Sequence, residues 1–344
     1  MTARLNLGQL SIAATAALLF STAPALAAAP GSPAEAVDVF IGTGGDGHTF
    51  PGASRPFGMV QLSPDTQHRH FRQSYPWASG YNYADSSILG FSHTHFSGSG
   101  HSDLGDVLLM PYSGETKLEP GYPERPFSGY RSRFSHDQEK AEPGYYAVRL
   151  KDHEVDVELT ASERVGLHRY KFKAGEPAKV LLDLRTSIYN YDEKNLWARL
   201  RVRSSTIITG MRETRGWAPG RQVHFAIQFS RPIDTRQLLN REEAIPYRGF
   251  APPGKTPADK ALVEGKQLMA DFNFGVPQDG TLLVKVALSA VSEDNAIANL
   301  AEMPGWDFDQ ERERAGKAWN DALGAVKVEA EGPMRTKFYT ALYH

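Results

Sequence analysis

Histidine is concentrated in one short part of the chain, and it is the side chain best suited to proton transfer and metal binding near neutral pH. Six of the eleven histidines lie between His48 and His101. Two glycine-rich runs, residues 41–48 and 91–103, occupy the same stretch. Because glycine lets the backbone approach a bound molecule closely, the runs predict ligand-binding loops. Tight turns, which also need glycine, are the alternative.

The histidine spacing in the second run permits a metal site. On a strand, His93 and His95 would point to one face, so both imidazoles could reach a single zinc ion. His101 or Asp103 would then complete the ligand set. The alternative is a polar scaffold, in which these side chains hydrogen-bond to one another and to the loop backbone. The residues alone favour the scaffold and leave zinc as a rival hypothesis.

Aromatic side chains form a further cluster just before these histidines. They are interleaved with polar residues and comprise Tyr75, Trp77, Tyr81 and Tyr83. Aromatic faces cover the C–H side of a sugar ring while neighbouring polar groups bind its hydroxyls, so the cluster suits carbohydrate. Ordinary core packing is the alternative, because tyrosine and tryptophan are common in the interior of β-sandwiches.

Hydrolysis of a glycosidic bond requires two carboxyl groups on either side of that bond. Five aspartates fall in or next to the histidine-rich segment: Asp46, Asp65, Asp85, Asp103 and Asp106. Nothing in the sequence fixes the separation of any two of them. The residues alone therefore identify no catalytic pair.

The elements that must position these residues are mainly strands. Residues 36–291 contain short apolar runs separated by glycine, proline, asparagine and aspartate, without a long helical period. One run alternates apolar and more polar positions, with the apolar residues Val223, Phe225, Ile227 and Phe229 on one face. We predict an antiparallel β-sandwich domain over residues 36–291, with residues 231–266 as a long surface excursion.

Helical signals replace the strand pattern after this domain. Ser292 is a predicted N-cap, and Asp307 with Gln310 three residues later resembles a capping box. Gly324 is placed to end the second helix. We therefore predict a helical linker over residues 292–332.

Residues 333–344 predict the start of a further helical domain. Pro333 suits the first helical position, and Met334, Phe338 and Leu342 share one face at four-residue spacing. His344 follows without a capping signal, so we expect this helix to belong to a truncated domain whose other helices cover that face.

The N-terminus resembles an export signal. Arg4 precedes the apolar run Leu10–Phe20, and the small-residue stretch ends at Ala27. The run is shorter than the roughly 20 residues that span a bilayer. We predict a signal peptide over residues 1–27, a periplasmic or secreted protein and no membrane insertion.

Composition narrows the class of partner. The 38 lysines and arginines nearly balance the 40 aspartates and glutamates, and no basic patch is interleaved with aromatics. A nucleic-acid partner is therefore not expected. The chain has no cysteine, which excludes disulfides and thiolate metal sites. Neutral substrates fit this composition.

Several separate stretches resemble glycoside hydrolase family 92, the calcium-dependent exo-α-mannosidases. The similarity extends over most of the chain after the leader. The stretches are residues 40–45, 48–53, 56–65, 90–95, 135–137, 143–146, 158–160, 306–308 and 338–344.

The resemblance implies an N-terminal β-sandwich joined by helices to an (α/α)6 barrel, with the active site between them. It implies cleavage of α-mannosides of glycans in one inverting step, by a glutamic acid and an aspartate that belong to the barrel. It also implies calcium as the cofactor, held in the barrel. This chain would then lack the acid, the base and the metal ligands, would pack against its own C-terminal barrel, and would be inactive alone.

The sandwich side of the substrate pocket is the contribution expected from this chain. The substrate-binding residues expected by resemblance are Gly44, Gly45, Asp46, His48, Trp77, Tyr81 and His93. Two other classes of function remain open. One is a zinc-dependent hydrolase that uses His93, His95 and His101, and the other is a non-catalytic carbohydrate-binding module.

Overall fold

The computed structural model describes residues 31–67, 78–98, 103–188, 193–242 and 261–344. Within it, Ser32–His344 form one compact unit. The predicted signal peptide (residues 1–27), Trp77 and His101 lie outside the described residues.

Two antiparallel sheets form most of this unit. The first has seven strands, in the spatial order β1 (Ala53–Ser54), β2 (Gln61–Asp65), β4 (Gly90–Ser92), β5 (Leu108–Tyr112), β11 (Lys179–Asp183), β17 (Leu268–Asn273) and β15 (Thr235–Asn240). The second has nine, in the order β16 (Leu262–Gly265), β12 (Asn195–Val202), β13 (Ile207–Thr214), β14 (Arg221–Phe229), β18 (Thr281–Ser289), β10 (Val165–Lys171), β9 (Val155–Ala161), β8 (Tyr145–Leu150) and β7 (Glu139–Glu142). A short pair joins β3 (Ser87–Ile88) to β6 (Ser132–Arg133).

The alternating pattern in β14 shows why the two sheets pack face to face. Val223, Phe225, Ile227 and Phe229 are all buried in the main core. Across the interface, the ring of Phe229 lies 5.3 Å from that of Phe272 on β17. Strands that alternate in this way bury one face against a facing sheet, which is the geometry of a sandwich. The predicted β-sandwich is confirmed.

Two helices, α1 (Glu293–Asn299) and α2 (Phe308–Leu323), cover the other face of the nine-stranded sheet. The third helix, α3 (Gly332–Tyr343), packs against α2 and the N-terminal segment. The intervening residues of the same strands supply the contact of the sheet with α1, since Val165, Leu167 and Ala287 pack with Ala296 of α1. The sheet is therefore buried on both faces, which explains why the polar side of its alternation is weak.

The helix starts follow the predicted capping. The Ser292 hydroxyl accepts a hydrogen bond from the backbone N–H of Asn295 (3.1 Å), and the Asp307 carboxylate accepts one from that of Gln310 (3.0 Å). Pro333 occupies the first turn of α3. On α3, Met334 and Leu342 are exposed.

The helices also form a second apolar cluster, the helix interface. It consists of Val39, Trp319, Leu323, Tyr339 and Tyr343, with the N-terminal segment laid across α2 and α3. Two hydrogen bonds fix that segment, from the N–H of Ala34 to the Asn320 side chain and from the N–H of Asp38 to the Thr340 hydroxyl, both 2.9 Å. The indole N–H of Trp319 donates to the carbonyl oxygen of Ser54 (2.7 Å), which joins the helices to the sandwich.

One expectation is corrected. The predicted surface excursion over residues 231–266 contains two short strands, β15 and β16, each at an edge of a sheet. Edge strands bury little of their surface, so their sequences carry little apolar alternation. Among the described residues, no helix is long and apolar enough to cross a membrane.

Candidate functional site

The first glycine-rich run forms a compact loop whose tip is open. The N–H of Gly47 donates to the carbonyl of Gly44 (3.0 Å), and the N–H of Thr49 donates to that of Gly42 (3.3 Å). A Cβ at Gly47 would lie 2.1 Å from the Gly42 carbonyl oxygen, so this crossing needs glycine. At the tip, Gly44, Gly45 and Asp46 are exposed, whereas His48 is half-buried.

Two neighbouring segments hold this loop. The N–H of Tyr83 donates to the Thr43 carbonyl (2.9 Å), and the Asn82 side chain donates to the carbonyl of Gly45 (3.3 Å). On the other side, the N–H of Gly98 donates to the carbonyl of His48 (2.5 Å). The loop is therefore preorganised, with its backbone and the Asp46 side chain facing outward.

A buried carboxylate lies behind the aromatic cluster. Tyr81 is fully buried, and its hydroxyl donates to Glu139 (3.1 Å), as does that of Tyr146 (2.6 Å). The His136 ring stacks on Tyr83 at 3.9 Å and bonds to Glu139 (2.6 Å). Burial raises the pKa of Glu139. Tyr81 thus supports the loop from inside, while Tyr83 presents a partly exposed ring at its edge.

His93 is fully buried and belongs to a directed chain of hydrogen bonds. Its Nδ1 donates to the carbonyl of Val107 (2.7 Å), which leaves Nε2 to accept from Nε2 of His168 (2.9 Å). The hydroxyl of Tyr170 donates to Nδ1 of His168 (2.8 Å). Burial lowers the pKa of His93 to about 3 and that of His168 well below its ordinary value. Both rings are neutral, and His93 is placed to support the loop rather than to meet a ligand.

His95 has a different partner although it lies two residues further on. Its Nδ1 faces the Gln61 carbonyl (2.8 Å) and its Nε2 faces Oδ1 of Asp65 (3.0 Å). The Ser92 hydroxyl lies 3.3 Å from the same Nε2, so the ring is held from both sides. Gly80 lies against this pair at φ +86°, and a Cβ there would be 2.4 Å from Asp65 Oδ1.

A second buried carboxylate, that of Asp106, holds Thr94 in place between His93 and His95. Asp106 accepts from the Thr94 hydroxyl (2.6 Å) and pairs with Arg221 (2.8 Å) and Arg212 (3.3 Å). Burial would raise the pKa of Asp106, but the two arginines outweigh it and hold that pKa below its usual value. Arg212 is itself buried and also donates to the side chain of Asn195 (2.8 Å).

These buried polar residues together form a loop scaffold: Asp65, His93, His95, Asp106, His168 and Arg212. The strand β4 ends at Ser92, so His93 and His95 do not alternate on a strand as the zinc hypothesis required. Within the described ranges, no group of three histidine, aspartate or glutamate side chains is arranged to hold a metal ion. The polar scaffold is the arrangement that the structure favours, and the zinc hydrolase is not favoured.

The end of α3 lies beside the same loops. The Ser97 hydroxyl is 3.3 Å from Nδ1 of His344, and the next residue, Gly98, bonds to His48. The exposed tip at Gly44–Asp46 and the C-terminal end of α3 therefore both border the turn at Phe96–Gly98. This edge is the candidate site.

Sequence reasoning did not identify the partners that matter most: His136, Glu139, His168, Arg212 and Arg221. One signal was present in β13, where Arg212 stands on the same side of the strand as the apolar Ile208. A charged side chain at an inward position of an apolar strand indicates a buried ion pair. His168 is likewise two residues from the buried Tyr170 on β10.

The family described as "Glycosyl hydrolase family 92 N-terminal domain" matches residues 36–289, and the "Glycosyl hydrolase family 92 catalytic domain" matches residues 295–344. A family GH92 α-mannosidase from Bacteroides thetaiotaomicron, solved in complex with mannoimidazole, is similar to 91% of this chain at 37% identity and a TM-score of 0.82. Another solved GH92 glycosyl hydrolase is similar at 28% identity over 90% of the chain, with a TM-score of 0.75.

A curated relative, an "Uncharacterized secreted glycosidase" from Arthroderma benhamiae, is 27% identical over 89% of the chain. The chain spans 40% of the length of each of these three proteins.

Proposed function

The chain belongs to glycosyl hydrolase family 92, and from that premise we propose that it forms the sandwich side of the substrate pocket of a secreted, inverting exo-α-mannosidase. The remaining side, with the acid and the base, is supplied by the rest of the family's catalytic domain. The substrate is an α-mannoside at the end of a glycan.

The observation that carries this proposal is where the site loops lie. The open tip at Gly44–Asp46 shares the turn at Phe96–Gly98 with the end of α3, and α3 falls in the segment that matches the catalytic domain. A pocket formed there would have the sandwich loops on one side and catalytic-domain helices on the other. The solved relative named an α-mannosidase, with a mannose-like ligand, supports the choice of sugar.

Each predicted substrate-binding residue then has a defined place in the proposal. Gly44, Gly45 and Asp46 meet the sugar through exposed backbone and a carboxylate, and His48 flanks them. Tyr81 and His93 hold the loops from within. Trp77 keeps its proposed sugar-binding role on the strength of the family resemblance.

Calcium is proposed as the cofactor of the whole enzyme on the same resemblance. The part of this chain that the structure describes offers no cluster of three acidic or histidine side chains to bind it. Its ligands would therefore come from other residues, and no step proposed for this chain depends on it. What this chain supplies is a rigid, preorganised wall that orients the terminal sugar.

Mannose release tests the function. The protein with a complete catalytic domain is assayed on α-linked mannobiose, either as the reading frame continued past His344 or as a fusion to the corresponding part of the Bacteroides α-mannosidase. We expect mannose release, first formed as the β-anomer by NMR, and its loss with EDTA and return with calcium. Rescue by zinc alone would support the zinc hydrolase, and binding without release would support a carbohydrate-binding module.

A glycine substitution tests the location of the site. A Cβ at Gly44 would meet nothing closer than Cβ of Tyr83 at 3.7 Å, so the backbone accepts a side chain there and Gly44→Leu adds bulk at the tip. We expect it to lower kcat/KM about tenfold or more, because it fills the proposed pocket. Gly305→Leu is the matched control, since a Cβ there also meets nothing within 4 Å. Equal activity of the two variants would place the sugar elsewhere.

A further inference from the structure

Trp217 is a large apolar side chain with most of its surface exposed. It lies in the connection between β13 and β14, residues 215–220, and 81% of its surface is exposed. A rigidly held exposed aromatic is a typical binding anchor, because little conformational freedom is lost when it is covered. The question is whether Trp217 is held rigidly.

The carboxylate of Asp103 clamps the backbone of this connection. Its Oδ1 accepts from the N–H of Trp217 (2.9 Å), and its Oδ2 accepts from that of Ala218 (2.8 Å). A Cβ at residue 216 would lie 1.6 Å from Asp103 Oδ1, so only glycine allows the carboxylate to come this close. Gly216 and Asp103 together fix where Trp217 projects.

The clamp is tied in turn to the loop scaffold. The side chain of Arg221 donates to the backbone carbonyl of Asp103 (3.1 Å) and also pairs with Asp106 (2.8 Å). The buried ammonium of Lys194 lies 3.6 Å from Asp103 Oδ1, which compensates the charge of the carboxylate. The same buried network therefore positions both the histidine loop and Trp217.

Chain length limits how far the clamp lies from the candidate site. Gly98 bonds to His48, and Asp103 follows five residues later. Five residues span at most about 18 Å when fully extended. Asp103, which bonds to the backbone of Trp217, thus lies within about 18 Å of Gly98 at the site edge, a distance on the scale of an extended oligosaccharide.

We propose that Trp217 is a stacking platform for a sugar unit of the glycan beyond the terminal mannose, and that Asp103 and Gly216 position it. This inference rests on the proposed function and deepens it, since it makes the preferred substrate an oligosaccharide rather than a simple mannoside. The indole face would cover the C–H side of that sugar, in the manner of aromatic walls in sugar pockets.

The test compares two substrates in the protein with a complete catalytic domain. One is an α-linked mannotriose, and the other is α-mannosyl fluoride, which has neither an outer sugar nor an aromatic leaving group. Trp217→Ala should lower kcat/KM for mannotriose about tenfold more than for the fluoride, through KM rather than kcat. Trp217→Phe, which keeps an aromatic face, should recover most of the difference. Trp197→Ala, at the other exposed tryptophan of the same sheet, is the matched control and should not change the ratio.

The clamp provides a second variant that leaves the indole in place. Asp103→Asn replaces one acceptor oxygen by an amide donor, so one of the two backbone bonds is lost. It should change the ratio of the kcat/KM values for the two substrates in the same direction as Trp217→Ala does.

The outcomes separate the two proposals. If the unmodified protein releases mannose from neither substrate, the proposed function fails and this inference fails with it. If it cleaves both and Trp217→Ala affects them equally, the function stands and the platform is wrong. An equal loss would also result if Trp217 packed only against another part of the protein.

Discussion

The loop scaffold and the helix interface both hold connecting segments in place, but they do so with opposite kinds of side chain. The loop scaffold buries charges, with Asp106 and Arg212 side chains both fully buried. The helix interface buries rings, with Trp319 packed 4.4 Å from Tyr343. A buried charge depends on its specific partner, whereas apolar contacts are spread over many atoms. We therefore expect the loss of one partner in the loop scaffold to lower the free energy of unfolding more than the loss of one contact in the helix interface.

The sharpest test removes the arginine of the scaffold. Arg212→Met keeps much of the side-chain volume but leaves Asp106 with one cation fewer, and it removes the donor to Asn195. We expect a loss of about 3–5 kcal/mol in the free energy of unfolding, the usual cost of breaking a buried pair. Chemical denaturation measures it.

Arg149→Met is the control for that variant. Arg149 pairs with Asp156 at 2.9 Å, but both side chains are partly open to water. Exposed pairs contribute less than about 1 kcal/mol. A similar loss of stability in the two variants would mean that burial does not increase the contribution of the Asp106 pair to the free energy of unfolding.

The same contrast explains what the sequence could predict. The caps at Ser292 and Asp307 were predicted correctly because each depends on a residue three positions away. The partner of His93 is 75 residues distant, and that of Asp106 is 106 residues distant. No local pattern specifies such pairs, so the histidines could be recognised as a scaffold or a metal site but not assigned their partners.

The family motifs do not distinguish exposed side chains of the loops from buried ones. Residues 44–46 are exposed at the tip, as a ligand-binding loop needs, but Tyr81 and His93 point inward. An aromatic or histidine near a loop is equally compatible with support and with contact. Only the packing of β4, β10 and β7 behind the loop distinguishes the two roles.

Acidification is the second test, because it titrates histidines of the scaffold but none of the rings of the helix interface. Burial holds the pKa of His93 at about 3 and that of His168 well below 6.5, whereas both would titrate near 6.5 in the unfolded chain. Below pH 6.5 the unfolded state therefore binds more protons, so stability is lost as the pH falls from 6.5 toward 3. His93 contributes a loss of about 1.4 kcal/mol per pH unit within that window, and His168 contributes in the same direction.

His168→Gln isolates this effect. Its amide can accept from Tyr170 and donate to His93, but it does not titrate. Between pH 7 and pH 4.5, the unmodified chain should lose more stability than the variant, because only the unmodified chain has this buried histidine to protonate on unfolding. Parallel pH profiles would show that His168 does not take up a proton on unfolding in this range.

The smallest expected effect belongs to the helix interface. Trp319→Phe keeps an aromatic ring against Tyr343 but removes the indole N–H that donates to the Ser54 carbonyl. The carbonyl loses one partner and some packing volume is lost, so we expect a cost of about 1–2 kcal/mol in the free energy of unfolding. The exposed Trp197 provides the control, and Trp197→Phe should change stability by less than about 0.5 kcal/mol. Because the remaining contacts of the interface are dispersed among several rings, none of them loses its only partner in Trp319→Phe. A loss as large as that of Arg212→Met would therefore show that the single hydrogen bond to Ser54 contributes more to stability than the apolar packing of the helix interface.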